Sequence, residues 1–146
     1  MRSASLWTKR STRRTTPRST LLNAGGRPVE SLPVAEARKV LADVQAAVEV
    51  DLSGIDERER EIVADGHALT LHLVRPHGSR GRPPYFVFIH GGGWVLGDYP
   101  THRRLVRDLV VESEVAAVFV DYTPAPEAKY PQAVDEIYAA VKWVAE

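Results

Sequence analysis

Residues 85–94 read Tyr85-Phe86-Val87-Phe88-Ile89-His90-Gly91-Gly92-Gly93-Trp94. Five apolar residues with no polar alternation describe a strand buried on both faces of a sheet. Three glycines directly after it describe a backbone whose N–H groups no side chain shields. Glycine costs roughly 0.5–1 kcal/mol relative to alanine in regular structure, so three in a row call for positive φ or for close approach of a ligand. Three readings stay open from this local pattern: a structural turn, a phosphate loop, and a pocket for an oxyanion. Neither Gly-x-x-x-x-Gly-Lys-Ser/Thr nor Gly-x-Gly-x-x-Gly is present, which weakens the phosphate reading.

Downstream, residues 101–111 read as a helix with Leu105, Val106 and Leu109 inward. Residues 115–120 form a second apolar run that ends at Asp121, and a Pro-rich loop, 122–130, follows. Pro131 then opens a helix whose buried stripe is Val134, Ile137, Tyr138, Val141 and Val144. Strand–helix–strand–helix is the pattern of a parallel sheet covered by helices, so the expected class is α/β with a mixed, mainly parallel sheet. Such sheets bind ligands beyond the carboxyl ends of their strands, and residues 90–98 and 121–130 both fall at that edge.

Upstream, Asp65-Gly66 is a turn signal between runs at 61–64 and 68–74, the second alternating through Leu69, Leu71 and Leu73. Residues 77–84, with Gly78, Gly81 and two prolines, read as a surface loop. Residues 34–50 carry an apolar stripe of Val34, Ala37, Val40, Leu41, Val44, Ala47 and Val48 at helical spacing. Ser31 is a candidate cap for this helix, with Pro33 near its first turn. Its place before the first strand also suits part of a cover over a site.

The chain has 146 residues, 44% of them apolar, enough for one modest domain with a core. Its formal net charge of zero conceals an asymmetry. Residues 1–29 hold seven Lys or Arg and no acid, leaving the remainder equally acidic. The Arg-, Ser- and Thr-rich stretch 2–20 has no apolar periodicity. A disordered extension, an organellar transit peptide and a polyanion-binding tail are its three readings. The absence of cysteine excludes disulfides and thiolate chemistry. No apolar run approaches the roughly 20 residues that span a bilayer.

Among polar candidates, His90 at a strand end is better placed to fix the glycine loop than to act as a base. His67, His72 and His77 match no metal-ligand spacing and read as solvated or packing residues. No metal site and no cofactor is expected. Asp98, Asp121, Glu127 and Asp135 are candidates for loop-fixing pairs.

Two longer motifs carry a family resemblance. His90-Gly91-Gly92-Gly93-Trp94-Val95-Leu96-Gly97-Asp98, followed by Asp121-Tyr122-x-Pro124-Ala125-Pro126-Glu127-x-x-Tyr130-Pro131-x-Ala133, resembles the hormone-sensitive-lipase-like branch of the α/β-hydrolases, which are carboxylesterases and lipases. The likeness runs from about residue 21, starting with Asn23-Ala24-Gly25-Gly26, to residue 146. It implies three segments: a basic tail over 1–20, an N-terminal helical cap region over 21–56, and a partial α/β-hydrolase domain over 57–146. It further implies that the N–H groups of Gly92 and Gly93 form the oxyanion hole, that His90 and Gly91 support that loop, and that Trp94 lies beside the substrate pocket. Thr123 stands where many relatives carry arginine, so an ion pair made there is missing.

The resemblance also implies what is not seen. None of the eight serines lies in Gly-x-Ser-x-Gly, so no nucleophile, acid or base is assigned. The expectation is the N-terminal part of a serine carboxylic-ester hydrolase for short-to-medium acyl esters, inactive by itself. Its partner would be a small ester substrate, with no specific nucleic acid, with homo-oligomers open to the complete enzyme, and with a cytoplasmic location unless the tail redirects it. In the family's strand order a further strand lies beyond residues 85–89. Without it that strand has an unpaired edge and the chain is expected to aggregate. The alternative is a non-catalytic α/β module recruited to polyanions by its tail.

Overall fold

The computed structural model describes residues 27–64 and 66–146. The expectations for the basic tail, for Asn23–Gly26 and for Asp65 lie outside the described residues. A single 3-10 turn, Val29–Ser31, precedes helix α1, Val34–Ala46. Strands β1, Ile55–Ala64, and β2, His67–Pro76, form a hairpin. Then come β3, Tyr85–Ile89, helix α2, Tyr99–Ser113, β4, Ala116–Asp121, and helix α3, Gln132–Ala145.

The four strands make one sheet in the order β1-β2-β4-β3. This corrects the expectation of a mainly parallel sheet. The β1–β2 and β2–β4 pairings are antiparallel, and only β3–β4 is parallel. The reason is connection length. A two-residue link at 65–66 can only reverse the chain, whereas a parallel neighbour needs a crossover such as the one α2 provides.

Strand β1 is longer than the 61–64 run because its first half, Asp56-Glu57-Arg58-Glu59-Arg60, hides a strand behind charge. Charged side chains suit an exposed sheet edge, where they discourage pairing with other chains. At the other edge stands β3, which corrects the reading of a strand buried on both faces: Tyr85 and Ile89 are 48% and 47% exposed.

Two apolar clusters sandwich the sheet, and alternation along β4 separates them. Val118 and Val120 join Leu69, Leu71 and Ala140 under α3, with Val87, Ile137 and Val144 alongside. Ala117 and Phe119 join Val74, Val106 and Val110 under α2, with Phe86 and Phe88 alongside. Helices α2 and α3 therefore cover opposite faces.

Both helical stripes are wider than the sheet beneath them. Leu105 and Leu109 are exposed on α2, as are Val134, Tyr138 and Val141 on α3, against expectation. Helix α1 stops at Ala46 and leaves Val48 outside it and exposed. Ser31 does not cap α1. Pro33 is the N-cap residue, without a side-chain bond, and the Ser31 hydroxyl donates to the Pro28 carbonyl instead.

Helix α2 begins in a capping box: Asp98 Oδ1 accepts from Thr101 N at 2.9 Å and Thr101 Oγ1 accepts from Asp98 N at 3.0 Å. Glu57 of β1 ties the hairpin to this helix by accepting from Arg103 Nε at 2.9 Å and from the Tyr99 hydroxyl. Arg103 holds the Glu57 carboxyl below its ordinary range. Among the described residues no helix is long and apolar enough to cross a membrane.

Candidate functional site

The loop that leaves β3 is built around its glycines. Gly92 has φ +134°, and a Cβ there would stand 1.9 Å from the Leu96 carbonyl oxygen. That crowding arises because the Gly92 carbonyl accepts from Val95 N at 3.2 Å and Leu96 N at 2.9 Å, which curls residues 92–96 into a tight turn. Gly97, at φ +96°, lets the chain pass 2.8 Å from His90 Nδ1, measured from the Cβ it lacks. Trp94 is a non-glycine residue at φ +63°, a conformation that costs of order 1–3 kcal/mol and persists only where neighbours enforce it. Gly91, Gly92 and Gly93 are exposed, and the N–H groups of Gly92 and Gly93 donate to no other group of the described residues.

His90 sits behind this loop, 4% exposed. Its ring stacks on Tyr122 at 4.3 Å and on Phe119 at 5.4 Å, both nearly coplanar. His90 Nδ1 lies 2.9 Å from the Gly91 carbonyl, which can only accept, so Nδ1 carries the proton. Burial pushes the His90 pKa down, keeping the ring neutral. The Tyr122 hydroxyl donates to the His90 carbonyl at 3.0 Å, which ties the ends of β3 and β4 together. Burial in turn raises the Tyr122 pKa.

Arg38 of α1 reaches over both loops, and nothing in the sequence reading singled it out. Its Nε donates to the Val95 carbonyl at 2.9 Å and its Nη2 to the Ala125 carbonyl at 2.9 Å. Nη1 and Nη2 each lie 2.8 Å from a Glu127 carboxylate oxygen. Arg38 holds Glu127 well below the ordinary 4.5, at about 2. Ala125 N donates to the Trp94 carbonyl at 2.7 Å, closing the same junction. An arginine amid the apolar stripe of a helix is the one local signal that could have pointed here, but its partners lie 57 to 89 positions away.

Of the four acids proposed as loop-fixing, Glu127 and Asp98 do that work. Asp121 lies 3.7 Å from His72 Nε2, and the Asp135 side chain makes no ion pair or hydrogen bond among the described residues. The acid that was missed is Glu136, 2% exposed. Its carboxylate accepts from Thr123 N at 2.7 Å, Thr123 Oγ1 at 3.0 Å and Gln132 Nε2 at 2.9 Å. Neutral donors thus occupy the carboxylate beside the position where an arginine was expected.

The three histidines remain apart. His72 stacks on Tyr99 at 3.9 Å, His77 bonds Asp56 at 2.8 Å, and His67 starts β2. No group of three potential ligands that could hold a metal occurs among the described residues.

Beside the glycine loop lies an open cavity of about 530 Å³ lined by Leu41, Gln45, Gly91, Gly92, Leu96 and His102, among others. A larger groove, about 920 Å³, lies at the other end of the strands around Leu73, Tyr85 and Trp143, away from the loop. The smaller cavity has the polar backbone, a cover contributed by α1, and the carboxyl edge of the parallel strands. It is the candidate site.

A family model of the alpha/beta hydrolase fold matches residues 86–146. The chain is 54% identical to a thermostable esterase from Pseudomonas putida, with a TM-score of 0.81 over 87% of this chain and 41% of that one. A fungal esterase structure from Rhizomucor miehei is 38% identical, with a TM-score of 0.76 over 87% and 41% of the two chains. The carboxylic ester hydrolase LipN of Mycobacterium tuberculosis is 44% identical over 92 residues, 63% of this chain and 24% of LipN. The chain is related to the esterases and lipases of the α/β-hydrolase superfamily and carries an incomplete version of that fold. It spans about a quarter to two-fifths of the length of these relatives.

Proposed function

We propose that this chain contributes the oxyanion-binding half of a serine carboxylic-ester hydrolase of the hormone-sensitive-lipase-like type. The single observation that carries the reading is the pair of N–H groups at the exposed Gly92 and Gly93, unpartnered among the described residues and set at the carboxyl end of β3 beside a cavity. In the complete enzyme a serine activated by a histidine and an acid attacks the ester carbonyl. The oxygen that becomes negative is then held by these two donors, which need no reorganisation because the turn behind them is already closed. His90 and Gly91 support the loop, and Trp94 borders the acyl or alcohol pocket. The triad is assigned to no residue of this chain, and the chain by itself is expected to leave esters intact.

The test is a chimera in which residues 27–146 replace the matching part of the Pseudomonas putida esterase. It is expected to hydrolyse short p-nitrophenyl esters. Gly92→Ala keeps its N–H but drives a Cβ into the Leu96 carbonyl and so displaces the donor; in that background it is expected to lower kcat by about 10²–10³, the range for loss of one oxyanion donor. A folded but inactive chimera, or a Gly92→Ala chimera with undiminished kcat, overturns the assignment. Organophosphate-sensitive ester turnover by the 146-residue chain alone overturns the expectation of inactivity.

A further inference from the structure

We propose that the recess beside the start of α2, on the face of β1, β2 and β4 that this helix leaves uncovered, is a binding site for a linear diamine or polyamine. The recess, about 820 Å³, is lined by Glu59, His72, Asp98, Tyr99 and Asp121, among others. Its size falls within the range of small-molecule sites. It shares no lining residue with the cavity beside the glycine loop.

Sheet register explains how the recess arises. Glu59, His72 and Phe119 form one cross-strand row, and Thr70 and Asp121 belong to the next. Side chains alternate along a strand, so Glu59, His72, Phe119 and Asp121 all stand on the α2 face. Helix α2 packs Val106 and Val110 over Val74 and Phe119, and Tyr99 in its first turn stacks on the His72 ring at 3.9 Å. The helix begins there, and the side chains of Glu59 and Asp121 remain 75% and 32% exposed.

His72 supplies the group that points to a ligand. The residue is 8% exposed, and its Nε2 is buried without a hydrogen-bond partner among the described residues. Each ring nitrogen faces a carboxylate beyond bonding distance. Nδ1 lies 3.7 Å from Glu59 Oε1, and Nε2 lies 3.7 Å from Asp121 Oδ2. A neutral imidazole carries one N–H and one lone pair. Whichever nitrogen holds the proton, the other directs its lone pair at a carboxylate, so this row is short of donors.

The nearby charges do not fill the gap. Arg103 is engaged by Glu57, and Asp98 accepts from the Thr101 N–H. Neither Glu59 nor Asp121 pairs with a lysine or arginine among the described residues. A group that only donates completes the arrangement, and an ammonium has three donors and no acceptor. One ammonium bonds the Asp121 carboxylate together with the Nε2 lone pair. Glu59 stands at the other ring nitrogen and takes a second, so two ammonium groups on an alkyl spacer meet both needs. A metal ion does not, because the two carboxylates flank the ring instead of converging on one point. A ligand that bridges Glu59 and Asp121 ties the edge strand to the end of β4, next to the Tyr122 that bonds the His90 carbonyl.

The experiment titrates the 146-residue chain with putrescine and with spermidine. NMR follows the backbone amides and imidazole resonances, and circular dichroism follows the thermal midpoint. The expected result is saturable shifts at Glu59, His72 and Asp121, with a midpoint that rises because the ligand binds the folded chain. Butylamine carries a single ammonium, and magnesium ion has the charge of putrescine without its N–H groups. Both are expected to bind at least about tenfold more weakly, since neither engages two anchors. Glu59→Gln and Asp121→Asn are each expected to weaken spermidine by at least about tenfold for the same reason. His72→Phe keeps a ring stacked on Tyr99, removes Nε2 and should also weaken binding. Circular dichroism reports whether each variant is folded, and Glu59 is exposed enough that its substitution leaves the packing alone.

Shifts that do not saturate overturn the proposal, and they are what a water molecule or a proton in the ligand's place predicts. Equal binding of butylamine or magnesium overturns it too, as does spermidine affinity unchanged in the folded Glu59→Gln and Asp121→Asn variants. Ester hydrolysis enters none of these readouts, so the outcome is independent of the proposed function.

Discussion

Arg38 and Glu127, 89 positions apart, meet in a two-point ion pair with both N···O distances 2.8 Å. The same guanidinium also bonds the Val95 and Ala125 carbonyls, so one side chain fastens α1 to the loops after both parallel strands. A planar fork of donors is required for this, which lysine lacks.

Arg38→Ala is therefore expected to destabilise the fold by about 1.5–3 kcal/mol, from the bonds its charge makes to the two carbonyls. Arg38→Lys should recover only part of that loss. Urea unfolding of the three proteins checks the order. Equal stability of Arg38→Ala and the parent would show that α1 is not fastened in this way.

The same pair sets an acid limit. Glu127 titrates at about 2 in the folded chain against an ordinary 4.5. A folded value below the unfolded one means that the contribution is complete above about 4.5 and is lost as the pH falls towards 2. The thermal midpoint of the parent should fall through that window more steeply than that of Glu127→Gln. Parallel profiles for the two would contradict the assignment.

His90 works in a higher window. Its pKa is lowered by burial, so its contribution is complete above the ordinary 6.5 and begins to be lost just below it. His90→Phe keeps a stacking ring and cannot titrate. That variant should show a flatter stability profile immediately below pH 6.5, although losing the bond to the Gly91 carbonyl lowers its stability overall.

The glycine loop should respond position by position. Gly91 has no positive φ and open space around its missing Cβ, so Gly91→Ala should change stability by less than about 0.5 kcal/mol. Gly93, at φ +64° with open space, should cost about 1–2 kcal/mol on substitution by alanine. Gly92→Ala meets the Leu96 carbonyl and should cost the most of the three. A different ranking in chemical denaturation would mean that the turn is not closed as described.

Thr123 and Glu136 offer a test of polar satisfaction. Glu136→Leu strands the Thr123 N–H in a partly buried site and should cost about 1–3 kcal/mol. Thr123→Val removes only the hydroxyl bond and should cost about 1 kcal/mol. If both variants melt with the parent, the carboxylate is not held as described.

Local sequence sufficed for β3, β4 and the positions of α2 and α3, because unbroken apolar runs and helical periodicity are properties of neighbouring residues. It was enough too for the glycine loop, since three glycines after a strand have few physical explanations. It did not reveal β1 before residue 61, because Asp56 to Arg60 carry charge on an edge strand where no apolar alternation is needed. Leu105 and Tyr138 were expected inside and lie outside, since a stripe records which side chains are apolar and not what stands opposite them.

The amino-acid sequence by itself thus determined the elements, the βαβ unit and the loop of Gly91, Gly92 and Gly93 that follows β3. Only the tertiary structure decided that the sheet is largely antiparallel and that Arg38 and Glu136 hold the site together. The division has one physical cause. Helix, strand and turn are set by bonds within a few residues, whereas strand order, edges and ion pairs are settled between segments that meet only when the chain has folded.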